Sequence, residues 1–246
     1  MGIDKQHGFT IIETMLFLGI SGILAIGILV GAGVSIGQQR YRDSVNSLKS
    51  YIQQQYNEAG SIVNSRASDW SCNTTAAVLE SPGAGGEPRG TSDCVIMGRY
   101  ITTNDKGTVL TSSNVVGYKN SVSTAVNDID ELTNNYQINV SPVDQDIQEV
   151  KWGAQIVQQK KTVPMTFSML IIRSPLSGTI LAFTKDSMEL NPKALISVAN
   201  TTQEQHLCVN ADAGSFVGKR MEVRINANPT NQSAVSIPTE SESVCD

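Results

Sequence analysis

Few side chains in this sequence have the type and spacing that catalysis needs, and the clearest candidates are a histidine and a cysteine. His206 lies two residues before Cys208, so on a β-strand both side chains would face the same side. A cysteine nucleophile with a neighbouring histidine base is one catalytic arrangement of this kind. A histidine beside a disulfide-bonded cysteine explains the same residues without catalysis, and we favour it. We therefore expect no enzymatic activity and no cofactor.

Two groups of charged residues are candidate binding sites. Asp128, Asp130 and Glu131 could bind calcium through their oxygens, but the segment lacks the ligand spacing and the glycine of an EF-hand loop. We expect a solvated acidic turn there. Lys160 and Lys161 form the most obvious basic patch, and a solvated strand end is the simpler interpretation. Because the net charge is −5, bulk electrostatics give no support to a nucleic-acid partner.

The cysteines predict disulfides and not a zinc site. The chain has four, Cys72, Cys94, Cys208 and Cys245, none of them in a CxxC pair. An even number suits two disulfides formed in an oxidising compartment. Three connectivities are open, and proximity along the chain favours Cys72 with Cys94 and Cys208 with Cys245. Each bridge would close a loop of roughly 20 to 40 residues, worth about 3 to 4 kcal/mol.

One carboxylate lies inside a long apolar run near the N-terminus. From Phe9 to Gly37 the only ionisable side chain is Glu13, and about 20 apolar residues suffice to span a bilayer. The run is too long for the core of a cleaved secretory signal. A simple membrane anchor fits the length but gives no reason for Glu13, whose carboxylate costs about 2.5 to 3.5 kcal/mol at mid-bilayer. The plainest explanation is that Glu13 lies near enough to the membrane edge to reach water.

The residues around Glu13 suggest a different explanation. The segment Gly8-Phe9-Thr10-Ile11-Ile12-Glu13 resembles the processing site of type IV pilins and pseudopilins. The resemblance implies that prepilin peptidase cuts between Gly8 and Phe9 and that the new N-terminal Phe9 is methylated. It also implies that Glu13 is the assembly residue. His7 stands where the family usually has Lys or Arg.

The implied cut supplies a physical role for the carboxylate. Cleavage creates a positive α-amine at Phe9 in apolar surroundings, and Glu13 of a neighbouring subunit can neutralise it. Because an unpaired buried charge of either sign is costly, the pair favours subunits in register in a filament over single subunits in lipid. The implied partners are other pilin subunits, prepilin peptidase and an inner-membrane assembly platform.

The resemblance also implies a location and leaves several roles open. The chain would be a single-pass membrane protein with a cytoplasmic N-terminus, and after assembly part of an extracellular filament. Adhesion, motility, DNA uptake and secretion are all open. The alternative is a minor tip subunit or pseudopilin that binds DNA, a surface or a secreted substrate.

One long helix is predicted to position these residues. The apolar side chains Tyr41, Val45, Leu48, Ile52 and Tyr56 are spaced by three or four, so helical periodicity continues beyond the apolar run. Arg40, Arg42, Lys49 and Gln53 to Gln55 would form its other faces. The predicted helix runs from about Thr10 to about Gly60, and its glycines between Gly27 and Gly37 could bend it or allow close helix packing.

The rest of the chain is predicted to form strands, which gives an α+β fold with antiparallel strands after the helix. Predicted strands are CVIMGRYITT and GTVLTSSNVVGY around Asn104-Asp105-Lys106, then QEVKWGAQIV, MTFSMLIIRS, GTILAFTKD, QHLCVNAD and KRMEVRINA. The segment HLCVNADAGSFVGKRMEVRIN loosely resembles the terminal strands of H-type minor pseudopilins. The predicted division is a leader at 1–8, a membrane or filament-core helix at 9–37, an amphipathic second half at 38–66 and a β-rich head at 67–246.

Overall fold

The structure is a computed structural model that describes residues 10–61, 70–80, 88, 90–211 and 219–245. Helix α1 runs from Ile11 to Gly60 without interruption, close to the predicted bounds. No proline interrupts the segment, and the glycine-rich stretch 27–37, where a bend was allowed, is helical throughout. The helix ends where the backbone N–H of Ser61 donates to the carbonyl of Asn57. Residues 62–66, the end of the predicted amphipathic segment, lie outside the described residues.

Twelve strands follow in the part of the chain described. They are β1 Trp70–Cys72, β2 Val78–Glu80, β3 Cys94–Thr103, β4 Val109–Lys119, β5 Tyr136–Val140, β6 Asp146–Glu149, β7 Gln155–Val157, β8 Ser168–Arg173, β9 Ile180–Lys185, β10 Gln205–Asn210, β11 Met221–Ile225 and β12 Val235–Ser236. Two short helices, α2 Asp128–Asp130 and α3 Val198–Thr202, lie between them, and one π-helical turn, Glu131–Asn135, continues α2.

The strands form three antiparallel sheets. The largest has the order β5-β4-β3-β8-β9, with β6 also paired to β4. A smaller sheet has the order β12-β11-β10-β7, and β1 pairs with β2 alone. The arrangement confirms the α+β prediction, and it confirms the β3–β4 hairpin around Asn104 and the β8–β9 hairpin closed by residues 174–179.

The main core lies between the second half of α1 and the two larger sheets. The predicted stripe is buried, with each member at most 3% exposed: Tyr41, Val45, Leu48, Ile52 and Tyr56. Alternate residues of the large sheet face it, such as Ile101 and Ile171. Their neighbours Tyr100 and Leu170 face a second core on the other side. This two-residue alternation is the pleat of a strand buried on both faces.

One glycine joins the two larger sheets. Gly107, in the β3–β4 turn, has φ +65, and its carbonyl accepts a hydrogen bond of 2.7 Å from the backbone N–H of Ile156 on β7. A Cβ at this position would lie 2.2 Å from the carbonyl oxygen of Ile156. Both the backbone conformation and the close approach therefore require glycine.

The prediction of one strand over QEVKWGAQIV is wrong. Strand β6 ends at Glu149, a turn occupies Lys151–Gly153, and β7 begins at Gln155. Trp152 has φ 60 and Gly153 has φ 69. Two successive residues in the left-handed region reverse the chain and end the pairing with β4.

Candidate functional site

The first half of α1 projects from the head as a bare apolar helix. Every Ile, Leu, Val, Met and Phe side chain from Ile11 to Ile36 is between 48% and 77% exposed. The helix is long and apolar enough to cross a membrane. An apolar surface of this extent is not stable in water and needs lipid or other apolar helices around it.

Glu13 forms a capping box with Thr10 at the start of this helix. One carboxylate oxygen of Glu13 accepts from the Thr10 backbone N–H at 2.9 Å and from the Thr10 hydroxyl at 3.0 Å. In return, the Glu13 backbone N–H donates to the Thr10 hydroxyl oxygen at 3.3 Å. The first N–H groups of a helix have no partner within it, so this reciprocal pair stabilises the end of the helix.

The capping box corrects one step of the sequence argument. A lone membrane helix does gain something from Glu13, namely a satisfied first turn, so the carboxylate alone does not distinguish a tether from a filament subunit. The Thr-x-x-Glu spacing from Thr10 to Glu13 is the sequence signal of a capping box, and it was missed.

The predicted processing residues, Gly8 and Phe9, lie outside the described residues. Within the described residues, no ion pair involves Glu13. The first basic side chain beyond it in the described helix is Arg40, about 40 Å away at 1.5 Å per residue. The described part of the helix therefore places no positive side chain near Glu13.

The second half of α1 is fixed to the head by hydrogen bonds as well as by apolar contacts. The buried Tyr41 hydroxyl donates to the carbonyl of Val209 at 2.6 Å and accepts from the backbone N–H of Met221 at 2.6 Å. Val209 and Met221 are register partners at one end of the β10–β11 pair. Further along, the amide of Gln53 donates to the carbonyls of Gln232 and Val235.

A buried arginine holds the last turns of α1 against the large sheet. Arg99 donates through Nε to the side-chain oxygen of Gln55 at 2.9 Å and lies 3.2 Å from the carboxylate of Glu58. Its Nη1 donates to the Asn114 side chain at 2.8 Å. The network matters because a buried charge left unpaired is strongly destabilising. Gln55 was placed on an outer face by the sequence, but it is fully buried, because this arginine and Ser112 bind its side chain.

Both disulfides are present with the connectivity that chain proximity favoured. Cys72 is bonded to Cys94, and Cys208 to Cys245. The first bridge joins the β1–β2 pair to the start of β3, and the second joins β10 to the C-terminal segment. Cys208 therefore has no free thiol to act as a nucleophile.

His206 takes part in a buried carboxylate network. Its Nδ1 lies 2.8 Å from Glu222 Oε1, which also accepts from Arg224 Nε at 2.8 Å. The other oxygen of Glu222 accepts from the backbone N–H of Val244 at 2.9 Å. Burial raises the pKa of Glu222, but the bonds from Arg224, His206 and Val244 outweigh it and leave this pKa lowered. The network fastens the C-terminal segment to β11.

The carboxylates of Asp128 and Glu131, two of the three acidic residues considered for calcium, bind different partners. Asp128 accepts from the hydroxyls of Ser174 and Ser177, whereas Glu131 accepts from the Ser123 hydroxyl and from the Asn135 amide. Glu131 is 2% exposed, so the expected solvated turn is wrong for this residue. Among the described residues, no three His, Cys, Asp or Glu side chains are grouped to hold a metal ion.

The lysine pair lies where the sequence placed it, on the surface. Lys160 and Lys161 are exposed in the turn after β7. The backbone N–H of Lys160 donates to the carbonyl of Cys245, and the carbonyl of Lys161 accepts from the guanidinium of Arg220.

The comparison with family models bears on the N-terminal helix. Residues 3–29 match the prokaryotic N-terminal methylation motif, so the chain begins with a type IV pilin-like class III signal peptide. The matched residues contain Gly8, Phe9 and Glu13 and most of the exposed apolar half of α1. Searches of curated proteins and of solved structures gave no match.

Proposed function

We propose that the chain is a type IV pilin-like subunit, cut by prepilin peptidase between Gly8 and Phe9 and then assembled into a pilus or related filament. One observation carries the proposal. The methylation motif at 3–29 coincides with the bare apolar half of α1, within which Glu13 is the sole ionisable side chain from Phe9 to Gly37.

The geometry of α1 supports a two-stage role. Before assembly, the apolar half spans the membrane, since it is too apolar to remain in water. In the filament, the same half packs against the equivalent helices of other subunits while the head stays outside. The head is fastened to the second half of α1 by Tyr41, Gln53 and Gln55, so helix and head move as one unit between the two stages.

Glu13 has a partner in each stage under this proposal. In a single subunit its carboxylate caps the helix through Thr10. In the filament the methylated α-amine of Phe9 from a neighbouring subunit supplies a positive charge as well. The role proposed for the chain is structural and not catalytic, in keeping with the engagement of His206 by Glu222 and of Cys208 by Cys245.

Three variants separate charge pairing from helix capping. Glu13→Ala removes both functions. Glu13→Gln removes the charge but keeps a side chain that can complete a capping box. Thr10→Val keeps the charge and the shape of the side chain but removes the capping hydroxyl. Each variant is expressed in cells lacking the parent gene, and the chain is quantified in sheared filaments and in membranes.

Charge pairing predicts that Glu13→Ala and Glu13→Gln both enter filaments poorly, whereas Thr10→Val enters nearly as well as the parent. Losing one member of a buried pair costs about 3 to 5 kcal/mol, which corresponds to a loss of roughly a hundredfold or more in incorporation. All three variants should insert in the membrane and be cut after Gly8. If Glu13→Gln assembles normally while Glu13→Ala and Thr10→Val fail, Glu13 acts only as a helix cap.

A further inference from the structure

The turn between β6 and β7 holds a tryptophan in an unusual position. Trp152 has φ 60 and ψ 32, a conformation that bulky L-residues seldom adopt. Its side chain is nevertheless 52% exposed. A rare backbone conformation that leaves a large aromatic ring at the surface is an observation from which a functional hypothesis can be drawn.

The ring is fixed to α1 by two polar contacts. The indole N–H of Trp152 donates to Asp43 Oδ2 at 2.9 Å. The guanidinium carbon of Arg40 lies 4.9 Å from the ring centroid, within the range of a cation–π interaction. Because Arg40 and Asp43 are one helical turn apart, these contacts set the height of Trp152 along the helix.

That height coincides with the outer surface of a membrane. A bilayer with its headgroups is about 40 to 45 Å thick, which a helix crosses in about 27 to 30 residues at 1.5 Å per residue. Counted from Thr10, the helix leaves the headgroup layer at about residues 37 to 40. The apolar run ends at Gly37, so Arg40 and the tryptophan ring on it lie at the headgroup level.

The chemistry of the turn suits that layer. Tryptophan is enriched at membrane interfaces because its ring is apolar while its N–H is polar. Arg40, over the ring, and Lys151, in the same groove, are both exposed and can bind phosphate groups. Glu149 lines the groove next to Trp152 and can accept from an ammonium group. A zwitterionic headgroup offers both partners.

We propose that Trp152, with Arg40 and Lys151, binds the phospholipid headgroup layer and sets the depth at which the unassembled subunit rests in the membrane. The proposal rests on the membrane-spanning stage of the proposed function but not on processing or filament assembly.

The two tryptophans of the chain, Trp70 and Trp152, provide a matched pair of probes. In the full chain, Trp70→Phe leaves Trp152 as the only tryptophan, and Trp152→Phe leaves Trp70. Trp70 precedes the disulfide to Cys94 at the start of β3, at the opposite end of that strand from the turn at Gly107. Each variant is reconstituted in vesicles of phosphatidylethanolamine and phosphatidylglycerol, with some lipid brominated near the headgroup or near the middle of the acyl chains.

On reconstitution, the emission maximum of Trp152 should shift to shorter wavelength. Lipid brominated near the headgroup should quench its fluorescence more than lipid brominated near the middle of the acyl chains, and aqueous iodide should quench it little. Trp70 should respond to iodide and to neither brominated lipid. With iodide present both inside and outside the vesicles, the result holds for either orientation of the chain. It can be read whether or not the leader is cut, so it fails separately from the proposed function. The proposal is overturned if iodide quenches Trp152 as strongly as Trp70 in vesicles. It is also overturned if Trp152 becomes shielded only in filaments, which would make a neighbouring subunit its partner.

Discussion

The attachment of α1 to the head depends on one hydroxyl group, and its removal gives the sharpest stability prediction. Tyr41→Phe keeps the ring in its buried site, where the parent residue is 3% exposed, but removes the bonds to Val209 and Met221, both 2.6 Å long. A buried polar group left without its partner costs about 1 to 3 kcal/mol. Because Val209 is buried and Met221 is partly buried, the expected loss is about 2 to 4 kcal/mol.

Tyr56→Phe is the matched control on the same helix face. Tyr56 is 2% exposed, and its hydroxyl has no hydrogen-bond partner among the described residues. Burial also raises the pKa of Tyr56, so the hydroxyl stays neutral. Removing an unsatisfied buried hydroxyl leaves no other group without a partner, so the Tyr56→Phe variant should be as stable as the parent or slightly more stable.

The assay is thermal unfolding of the full chain in detergent micelles, followed by near-UV circular dichroism. For a head of this size, 1 kcal/mol shifts Tm by about 2 to 4 °C. Tyr41→Phe should therefore lower Tm by about 5 to 15 °C, while Tyr56→Phe leaves it in place. Equal shifts for the two variants, or an unchanged Tm for Tyr41→Phe, would refute the assignment of a bonding role to this hydroxyl.

Three further predictions concern the head. Replacing Cys208 and Cys245 together by serine should lower the free energy of unfolding by about 2 to 4 kcal/mol, measured through Tm. Non-reducing peptide mapping of the parent should recover the Cys208–Cys245 disulfide, and free thiols at both positions would contradict it. The pKa of Glu131 is lowered by the Ser123 hydroxyl, against burial and with help from Asn135 and Lys119. Its ionised form therefore stabilises the fold above the ordinary carboxyl pKa, and this contribution is lost as pH falls through the lowered value. The difference in Tm between the parent and Glu131→Gln should be largest near neutral pH and should disappear in acid. A difference independent of pH would exclude stabilisation by the ionised carboxylate. Gly107→Ala should lower Tm, because alanine is strained at φ +65 and its Cβ would meet the carbonyl of Ile156; an unchanged Tm would show that the turn can move.

The parts of the fold that depend on short-range pattern could be predicted from sequence. The stripe from Tyr41 to Tyr56 has the helical period, so both the length of α1 and its buried face followed from it. The hairpins around Asn104 and Pro175 join strands that are neighbours in the chain. The disulfides likewise join cysteines 22 and 37 residues apart, where proximity favoured the pairing.

The features that depend on contacts between distant residues could not be predicted. Gln55 is polar and was placed on an outer face, but Arg99, 44 residues away, makes its burial favourable. Glu131 is an exception, because its partners Ser123, Lys119 and Asn135 are near it in the chain, but a polar segment gives no sign that a carboxylate within it is buried. The left-handed conformation of Trp152 could not be expected either, because tryptophan seldom adopts a positive φ.

Two signals were in the sequence and were not used. Thr10 and Glu13 have the Thr-x-x-Glu spacing of a capping box. Gly153 directly after Trp152 is a turn signal inside a segment interpreted as a strand. The resemblance of the terminal strands to H-type minor pseudopilins stays a prediction.

The N-terminus of the mature chain tests the central claim most directly. The chain is recovered from filaments sheared from the cell surface, and its intact mass and N-terminal peptide are measured. The proposed function predicts that the chain begins at Phe9 with a methyl group on its α-amine. Recovery of a chain that begins at Met1, or of one cut after Gly33, would contradict it.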